Sequence, residues 1–155
     1  MIDISINKIA TLLTGLSVAS LSMLHVNVPN APANGTEIQV RKTIEEFVKA
    51  GDNRNLEQMK QVLHAHFRVV ANQVMGSTTV NIMTKEQYLA LIEEGKLGGD
   101  VRTLEILSLE IVNKNASAHV RLKGRALTFD TFYHLVQSEE GHWQLIQDLP
   151  FVSKN

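Results

Sequence analysis

The stretch FDTFYHLVQSEEGHWQLI, residues 129–146, decides the fold. The residues on both sides of Glu139-Glu140-Gly141, a run that favours a tight turn, have the composition of strands. The pattern predicts two antiparallel strands, Thr128 to Gln137 and His142 to Leu149, joined as a hairpin. This hairpin ends a section of the chain that has no helical periodicity.

Two further strands are predicted before the hairpin. Val101 to Val112 and Ala116 to Arg125 have the composition of strands and are separated by the turn-forming residues Asn113-Lys114-Asn115. In the second of them small and aliphatic residues alternate with basic ones, so one of its faces is expected to contact water. The last third of the chain therefore predicts a four-stranded antiparallel meander.

The residues before the meander carry helical periodicity. Three capping signatures predict the starts of three helices: Thr36 with Gln39, Asn55 with Gln58, and Thr84 with Gln87. Behind the first signature, apolar residues recur on one helical face. Between the second and third helices, alternation from Phe67 and the returning stretch TTVNIM predict a strand pair.

The order helix, helix, strand pair, helix, four strands predicts an α+β fold. Its three helices lie in the N-terminal part of the chain and pack on a strongly curved, mainly antiparallel sheet of five to six strands. A sheet that curls around the long first helix leaves a conical cavity between them. Concave apolar cavities of this kind usually bind small molecules.

Composition excludes several classes of function. The chain has 155 residues and a net charge of -1, which fits one compact domain and removes the attraction that nucleic-acid binding requires. The absence of Cys excludes disulfides, thiolate zinc sites and iron–sulfur clusters. The chain has no phosphate-binding loop motif, and His64 and His66 lack a nearby third ligand. Neither a cofactor nor a metal is therefore predicted.

The N-terminal segment has the pattern of a secretory signal peptide. The stretch from Ile9 to Leu24 is uncharged and shorter than the roughly 20 residues that cross a bilayer. Ala31-Pro32-Ala33 offers small residues for cleavage before Asn34. Residues 1–33 are therefore predicted to be a signal peptide, residues 34–155 the folded domain, and the protein secreted or periplasmic. The alternatives are an uncleaved anchor that contacts a membrane through residues 9–24, a start codon assigned too early, or a cytoplasmic arm.

The chain resembles the nuclear-transport-factor-2-like superfamily, the cystatin-like cone fold of ketosteroid isomerase, scytalone dehydratase and SnoaL-like proteins. Within it, the resemblance points to the putative lumazine-binding group. The likeness covers residues 36–152 and lies in FVKAGDNRNLEQM, MTKEQYLALI and the final hairpin. The hairpin positions that carry it are Asp130, Tyr133, Leu135, Gly141 and Trp143. The resemblance implies a homodimer formed through the sheet.

Asp130 and His134 are the candidate general bases. They are four residues apart on one strand and so share a face, whereas Tyr133 lies on the other face. Both faces are mixed, so the sequence does not decide which one lines the cone. The alternative interpretation of Asp130 is a structural carboxylate that bonds to backbone or to a neighbouring Arg.

The cone predicts three alternative functions. The first is an exported protein that binds an apolar or pterin-like compound without catalysis, through Phe47, Phe67, Tyr88, Asp130, Tyr133, His134 and Trp143. The second is an isomerase, dehydratase or cyclase, which requires a buried Asp130 or His134 with a shifted pKa. The third is a self-association module with a cone filled by Phe47, Phe67, Leu107 and Trp143.

Overall fold

The computed structural model describes residues 34–155, so the predicted signal peptide, residues 1–33, lies outside the described residues. The predicted order of helices and strands is confirmed. The elements are α1 Gly35–Asp52, α2 Leu56–Val62, β1 Leu63–Asn72, β2 Val80–Thr84, α3 Lys85–Glu93, β3 Thr103–Val112, β4 Asn115–Lys123, β5 Leu127–Gln137 and β6 Trp143–Lys154. From Asn34 onward, no helix has both the length and the apolar character needed to span a bilayer.

The six strands form one mixed sheet in the order β2-β1-β6-β5-β4-β3. Four neighbouring pairs are antiparallel, as predicted, but β1 and β6 pair in parallel. The parallel pair was not predicted, because it joins two strands that are far apart in the chain. As a result, the first and last strands lie side by side in the middle of the sheet.

Helix α1 begins earlier than predicted. Its N-cap is Asn34, whose side chain accepts a hydrogen bond of 2.8 Å from the backbone N–H of Glu37. The predicted capping box of Thr36 and Gln39 is therefore wrong, because a second good capping residue stands two positions upstream. The Asn55 cap of α2 and the Thr84–Gln87 capping box of α3 are confirmed.

Replacing Asn34 by Ala is expected to lower the free energy of unfolding by about 1 kcal/mol, because the first turn of α1 loses its side-chain acceptor. Thr36→Ala is the matched control and should change it by less than about 0.5 kcal/mol. Urea denaturation followed by circular dichroism measures the free energy of unfolding of each variant. A larger loss for Thr36→Ala than for Asn34→Ala would restore the capping box as first predicted.

The core lies between one face of α1 and one face of the sheet, which we call the inner face. The predicted apolar stripe of α1 is buried there: Val40, Ile44, Phe47 and Val48. On β4 the predicted alternation is confirmed, since Ala118, Val120 and Leu122 are buried and Arg121 and Lys123 are exposed. The opposite, outer face of the sheet is the one on which the basic side chains of β4 lie.

Strand β1 begins at Leu63, directly after α2, rather than at the predicted Phe67. His64 and His66 therefore lie within the strand, and the backbone N–H of His66 donates to His64 Nδ1 at 3.1 Å. Strand β6 is also longer than predicted and continues past Leu149 to Lys154. It therefore adds to the sheet residues that were not predicted to lie in any strand.

A β-bulge at Ile146 changes which residues of β6 face the core. Leu135 pairs with Leu145, but the preceding His134 pairs with Gln147, which leaves Ile146 without a partner. Trp143 and Leu145 lie on the inner face before the bulge. One extra residue reverses the alternation that follows it. Asp148, Pro150 and Val152 therefore take the inner face beyond the bulge.

Candidate functional site

A cavity of about 310 Å³ lies between α1, α3 and the inner face of the sheet. Most of its wall is apolar, from Phe47 of α1, Val69 of β1, Met83 of β2, Phe129 of β5 and Val152 of β6. Five residues add polar groups to that wall: Tyr88, Arg102, Thr131, Tyr133 and Asp148. We call this space the cavity; its size is at the lower end of the range for small-molecule sites.

Asp148 supplies the carboxyl group of the cavity. Its backbone lies opposite Tyr133 of β5 and Val69 of β1, and its carboxylate accepts a hydrogen bond from the Thr131 hydroxyl. Burial raises the pKa of Asp148 to about 6, against the opposing effects of that hydrogen bond and of the Arg102 charge. This carboxyl group is therefore mostly ionised at neutral pH and takes up a proton as the pH falls through about 6.

Two tyrosines stand beside this carboxyl group. Phe47 packs between them, with ring centroids 5.4 Å from Tyr133 in an edge-on contact and 6.3 Å from Tyr88 in a stacked one. Burial raises the pKa of both phenols well above the ordinary value, and the Asp148 charge raises it further. Both tyrosines are therefore neutral at physiological pH and can donate or accept a hydrogen bond.

Arg102 forms a buried ion pair at the C-terminal end of α1. Its Nε lies 2.6 Å from Asp52 Oδ1, its backbone N–H donates to Oδ2 at 3.0 Å, and its Nη2 donates to the Val48 carbonyl at 3.3 Å. The side chains are 14% and 11% exposed, respectively. Because Asp52 neutralises Arg102, the positive charge in the cavity wall already has a partner.

The loop between α3 and β3 closes part of the cavity wall. Gly98 has φ +71°, and a Cβ there would lie 2.3 Å from the Gly51 carbonyl oxygen, so only glycine fits this close approach. The Arg54 guanidinium donates to three carbonyls of the loop, those of Gly95, Leu97 and Gly98. These contacts hold the loop against the end of α1, where Leu97 and Gly98 line the cavity.

Three of the predicted ligand-binding residues, Phe47, Tyr88 and Tyr133, line the cavity. Phe67 is buried behind them, with its ring centroid 5.4 Å from that of Tyr88. Trp143 is buried elsewhere in the core, where its carbonyl accepts a hydrogen bond from Thr43, and it does not line the cavity. The aromatic part of the predicted site thus divides into a lining and a supporting layer.

Asp130 and His134 lie on the outer face of the sheet, because the odd-numbered residues of β5 are the ones that face α1. Asp130 accepts two hydrogen bonds of 3.2 Å from Arg121 and lies 3.3 Å from His119 Nε2. The Arg121 hydrogen bond lowers the pKa of Asp130. The structure therefore shows the alternative arrangement, a carboxylate paired with a neighbouring Arg, and neither residue reaches a molecule in the cavity.

Sequence reasoning missed Asp148, because strict alternation from Trp143 and Leu145 places Gln147 on the inner face and Asp148 on the outer one. The bulge reverses this assignment. The sequence carries one signal of it, the adjacent apolar residues Leu145 and Ile146, which a regularly alternating strand would not place side by side. Arg102 and Thr131 were also not among the predicted site residues.

Comparison with known proteins supports the family resemblance. The model of the family described as Putative lumazine-binding matches residues 36–149. No curated protein matches the chain at a significant level. Many solved structures do match it, among them proteins described as nuclear-transport-factor-2-like, ketosteroid-isomerase-like or cystatin-like.

Three of these structures illustrate the likeness. A nuclear-transport-factor-2-like protein of unknown function from Silicibacter pomeroyi is 16% identical, with a TM-score of 0.65, over 75% of this chain and 94% of that one. A protein of unknown function with a cystatin-like fold from Nostoc punctiforme is 12% identical, with a TM-score of 0.62, over 76% of this chain and 90% of that one. A ketosteroid isomerase-like protein from Erwinia carotovora atroseptica is 10% identical, with a TM-score of 0.61, over 78% of this chain and 97% of that one. At such identities the likeness shows a common fold.

Proposed function

Because the chain belongs to the putative lumazine-binding family, we propose that it binds a small, largely apolar, ring-containing molecule in the cavity. The observation that carries this proposal is the cavity itself, about 310 Å³ of space beside the core. Unfilled apolar space costs stability, and protein cores are normally packed without it. A domain that needed only to be stable would have filled this space with side chains.

The polar groups of the cavity wall are few and lie close together. Asp148 accepts hydrogen bonds, and Tyr88 and Tyr133 can both donate and accept them. A flat ring that packs against the aromatic wall and presents N–H groups to Asp148 would use both features of the site. Pterin-like compounds, of which lumazine is one, combine such a ring with N–H and carbonyl groups.

Filling the cavity tests the proposal. We expect isothermal titration calorimetry to detect lumazine binding to the wild-type protein, and Ala71→Phe to abolish it, because Ala71 lies in the cavity wall and a phenyl group there takes up ligand space. The matched control is Val70→Phe on the same strand, whose side chain points to the outer face.

The Val70→Phe protein is expected to bind lumazine as the wild-type protein does. Absence of lumazine binding to the wild-type protein would contradict the proposal in its pterin-like form. Equal binding by the wild-type protein and the Ala71→Phe variant would show that the ligand sits outside the cavity. Circular dichroism of both variants establishes that they are folded.

Proton transfer is a second candidate function, and Asp148 is the observation that favours it. A general base or acid works best with a pKa near the working pH, and burial raises the pKa of Asp148 to about 6. The enzyme hypothesis named Asp130 or His134 for this role. In the present proposal Asp148 takes that role, because it is the carboxyl group that the cavity contains.

Self-association through the sheet stays a prediction, as does export. The outer face supports self-association, because Leu107, Phe132 and Phe151 are 38%, 46% and 65% exposed there, and exposed apolar groups favour contact with a second copy. The hypothesis of a filled cone required Leu107 inside it. Since Leu107 is exposed and the cavity is open, self-association is proposed in addition to ligand binding rather than in its place.

A further inference from the structure

The charges in the cavity wall do not balance. Among the described residues that line the cavity, Arg102 and Asp148 are those with a full charge. Arg102 is paired with Asp52. Within residues 34–155 Asp148 has no ion pair, and its side-chain partner is the Thr131 hydroxyl. An ionised carboxylate can accept about four hydrogen bonds, and among the described side chains the Thr131 hydroxyl supplies one of them.

An unpaired carboxylate is costly in such a place. Partial burial reduces the hydration of the charge, and proteins normally compensate such a charge with a partner cation or several hydrogen-bond donors. Among residues 34–155, Arg102 compensates the charge of Asp52 at the end of α1, whereas no cation pairs with Asp148. The missing partner of Asp148 is therefore expected to arrive with the molecule that fills the cavity.

We propose that the ligand carries a positively charged nitrogen, in a protonated amine or an N-protonated heterocycle, which pairs with the Asp148 carboxylate. This inference rests on the proposed function and specifies the class of ligand. The aromatic wall suits the same group, because Phe47, Tyr88, Phe129 and Tyr133 line the cavity and aromatic rings attract cations held near them.

Ligands of other charge fit the site less well. A neutral N–H group would supply a hydrogen bond but would leave the Asp148 charge uncompensated. An anion would be repelled by Asp148 and would find the Arg102 guanidinium already bound to Asp52. The hydroxyls of Tyr88 and Tyr133 donate hydrogen bonds but carry no positive charge. A cation is therefore the class of ligand that can both pair with Asp148 and pack against the aromatic wall.

Three probes of equal size separate these cases: benzylamine, benzyl alcohol and benzoate, which share one ring and differ in charge. We expect calorimetry at pH 7 to show benzylamine binding at least about tenfold more tightly than benzyl alcohol, with benzoate weakest. Asp148→Asn should remove the preference for benzylamine. The matched control is Glu105→Gln, an exposed carboxylate of β3, which should retain the preference.

The pH dependence supplies an independent readout. Affinity for benzylamine should fall as the pH falls through about 6, because protonation removes the charge of Asp148. Benzyl alcohol affinity should not follow this decrease. The groups that face Asp148 from the neighbouring elements are Thr131 and Tyr133 of β5, Tyr88 of α3, the Arg102–Asp52 pair and the uncharged Val69 of β1. The phenols stay protonated in this range, so Asp148 alone should account for the change.

The outcomes distinguish the two proposals. Equal binding of benzylamine and benzyl alcohol, tighter binding of benzoate, or a preference that survives in Asp148→Asn would each overturn this inference. If none of the three probes binds while lumazine does, the inference fails and the proposed function stands. If lumazine also fails to bind, the proposed function fails, and the inference fails with it.

Discussion

Replacing Arg102 by Met is expected to lower the free energy of unfolding by about 3–5 kcal/mol, the cost of breaking a buried ion pair on one side. The Asp52 carboxylate, which is 11% exposed, would lose its only cation partner among the described residues. It also stands in the last turn of α1, where the helix dipole disfavours a negative charge. The Val48 carbonyl would lose a donor as well. Urea denaturation at pH 7 measures the loss.

The outer face of the sheet offers a matched control for this variant. Arg121→Met removes one of the two partners of Asp130, whose side chain is 31% exposed and also lies beside His119. The loss should be at most about 1 kcal/mol, because water replaces the lost contact. The double variant Asp52→Asn/Arg102→Met should regain part of the stability lost by Arg102→Met. Equal losses for the two Arg variants would show that burial does not set the strength of the Asp52–Arg102 pair.

Replacing Asp148 by Asn is expected to raise the free energy of unfolding at pH 7 by about 2 kcal/mol. The pKa of this carboxyl is about 6 in the folded protein and about 3.9 in an unfolded chain. Between these two values the folded state binds more protons than the unfolded one, so wild-type stability falls as the pH rises through this window and stays lower above it. The amide side chain does not ionise and avoids this cost.

Comparison of denaturation curves between pH 3.5 and about 7.5 tests the sign of this effect. The increase in the free energy of unfolding caused by Asp148→Asn should be absent near pH 3.5 and complete near pH 7.5. Asp130→Asn should show no gain, because Arg121 lowers the pKa of Asp130, and its ionised form therefore stabilises the fold. Parallel pH profiles of the wild-type protein and Asp148→Asn would contradict the pKa on which this prediction rests.

Together with the ligand experiment, this result would show why Asp148 is present. The same substitution is expected to stabilise the domain and to remove its preference for a cationic ligand. Such opposite effects are typical of groups that serve binding rather than folding. A carboxylate kept at a cost to stability would connect the charge imbalance of the cavity to its function.

Local patterns in the sequence predicted most of the fold. Capping residues such as Thr84 and the alternation in β4 are short-range signals. They correctly predicted the start of α3 and the solvent-exposed side of β4, which lies on the outer face of the sheet. The start of α1 was misplaced because Asn34 and Thr36 both suit an N-cap and only the folded chain selects between them. The parallel pairing of β1 with β6 depends on long-range packing, for which one sequence gives no signal.

The candidate site was predicted only in part, because local sequence signals do not reveal an irregularity within a strand. Phe47 was found because helical spacing places it on the apolar stripe of α1. Tyr133 was found through the family resemblance, although the sequence left open which face of β5 lines the cavity. Asp148 was not among the predicted residues, and because it lies beyond the bulge, strict alternation along β6 would assign it to the outer face. Its carboxyl group is the part of the site on which the ligand proposals depend.

The bulge at Ile146 also divides β6 into two segments that can change independently. The segment before it holds Trp143 and Leu145 in the core, while the segment after it supplies Asp148, Pro150 and Val152 to the cavity wall. If Ile146 instead paired with His134 in a regular ladder, the second segment would shift by one residue, and Gln147 would replace Asp148 on the inner face. The charge preference of this fold therefore depends on the bulge, whose loss would change that preference with no substitution among the residues that line the cavity.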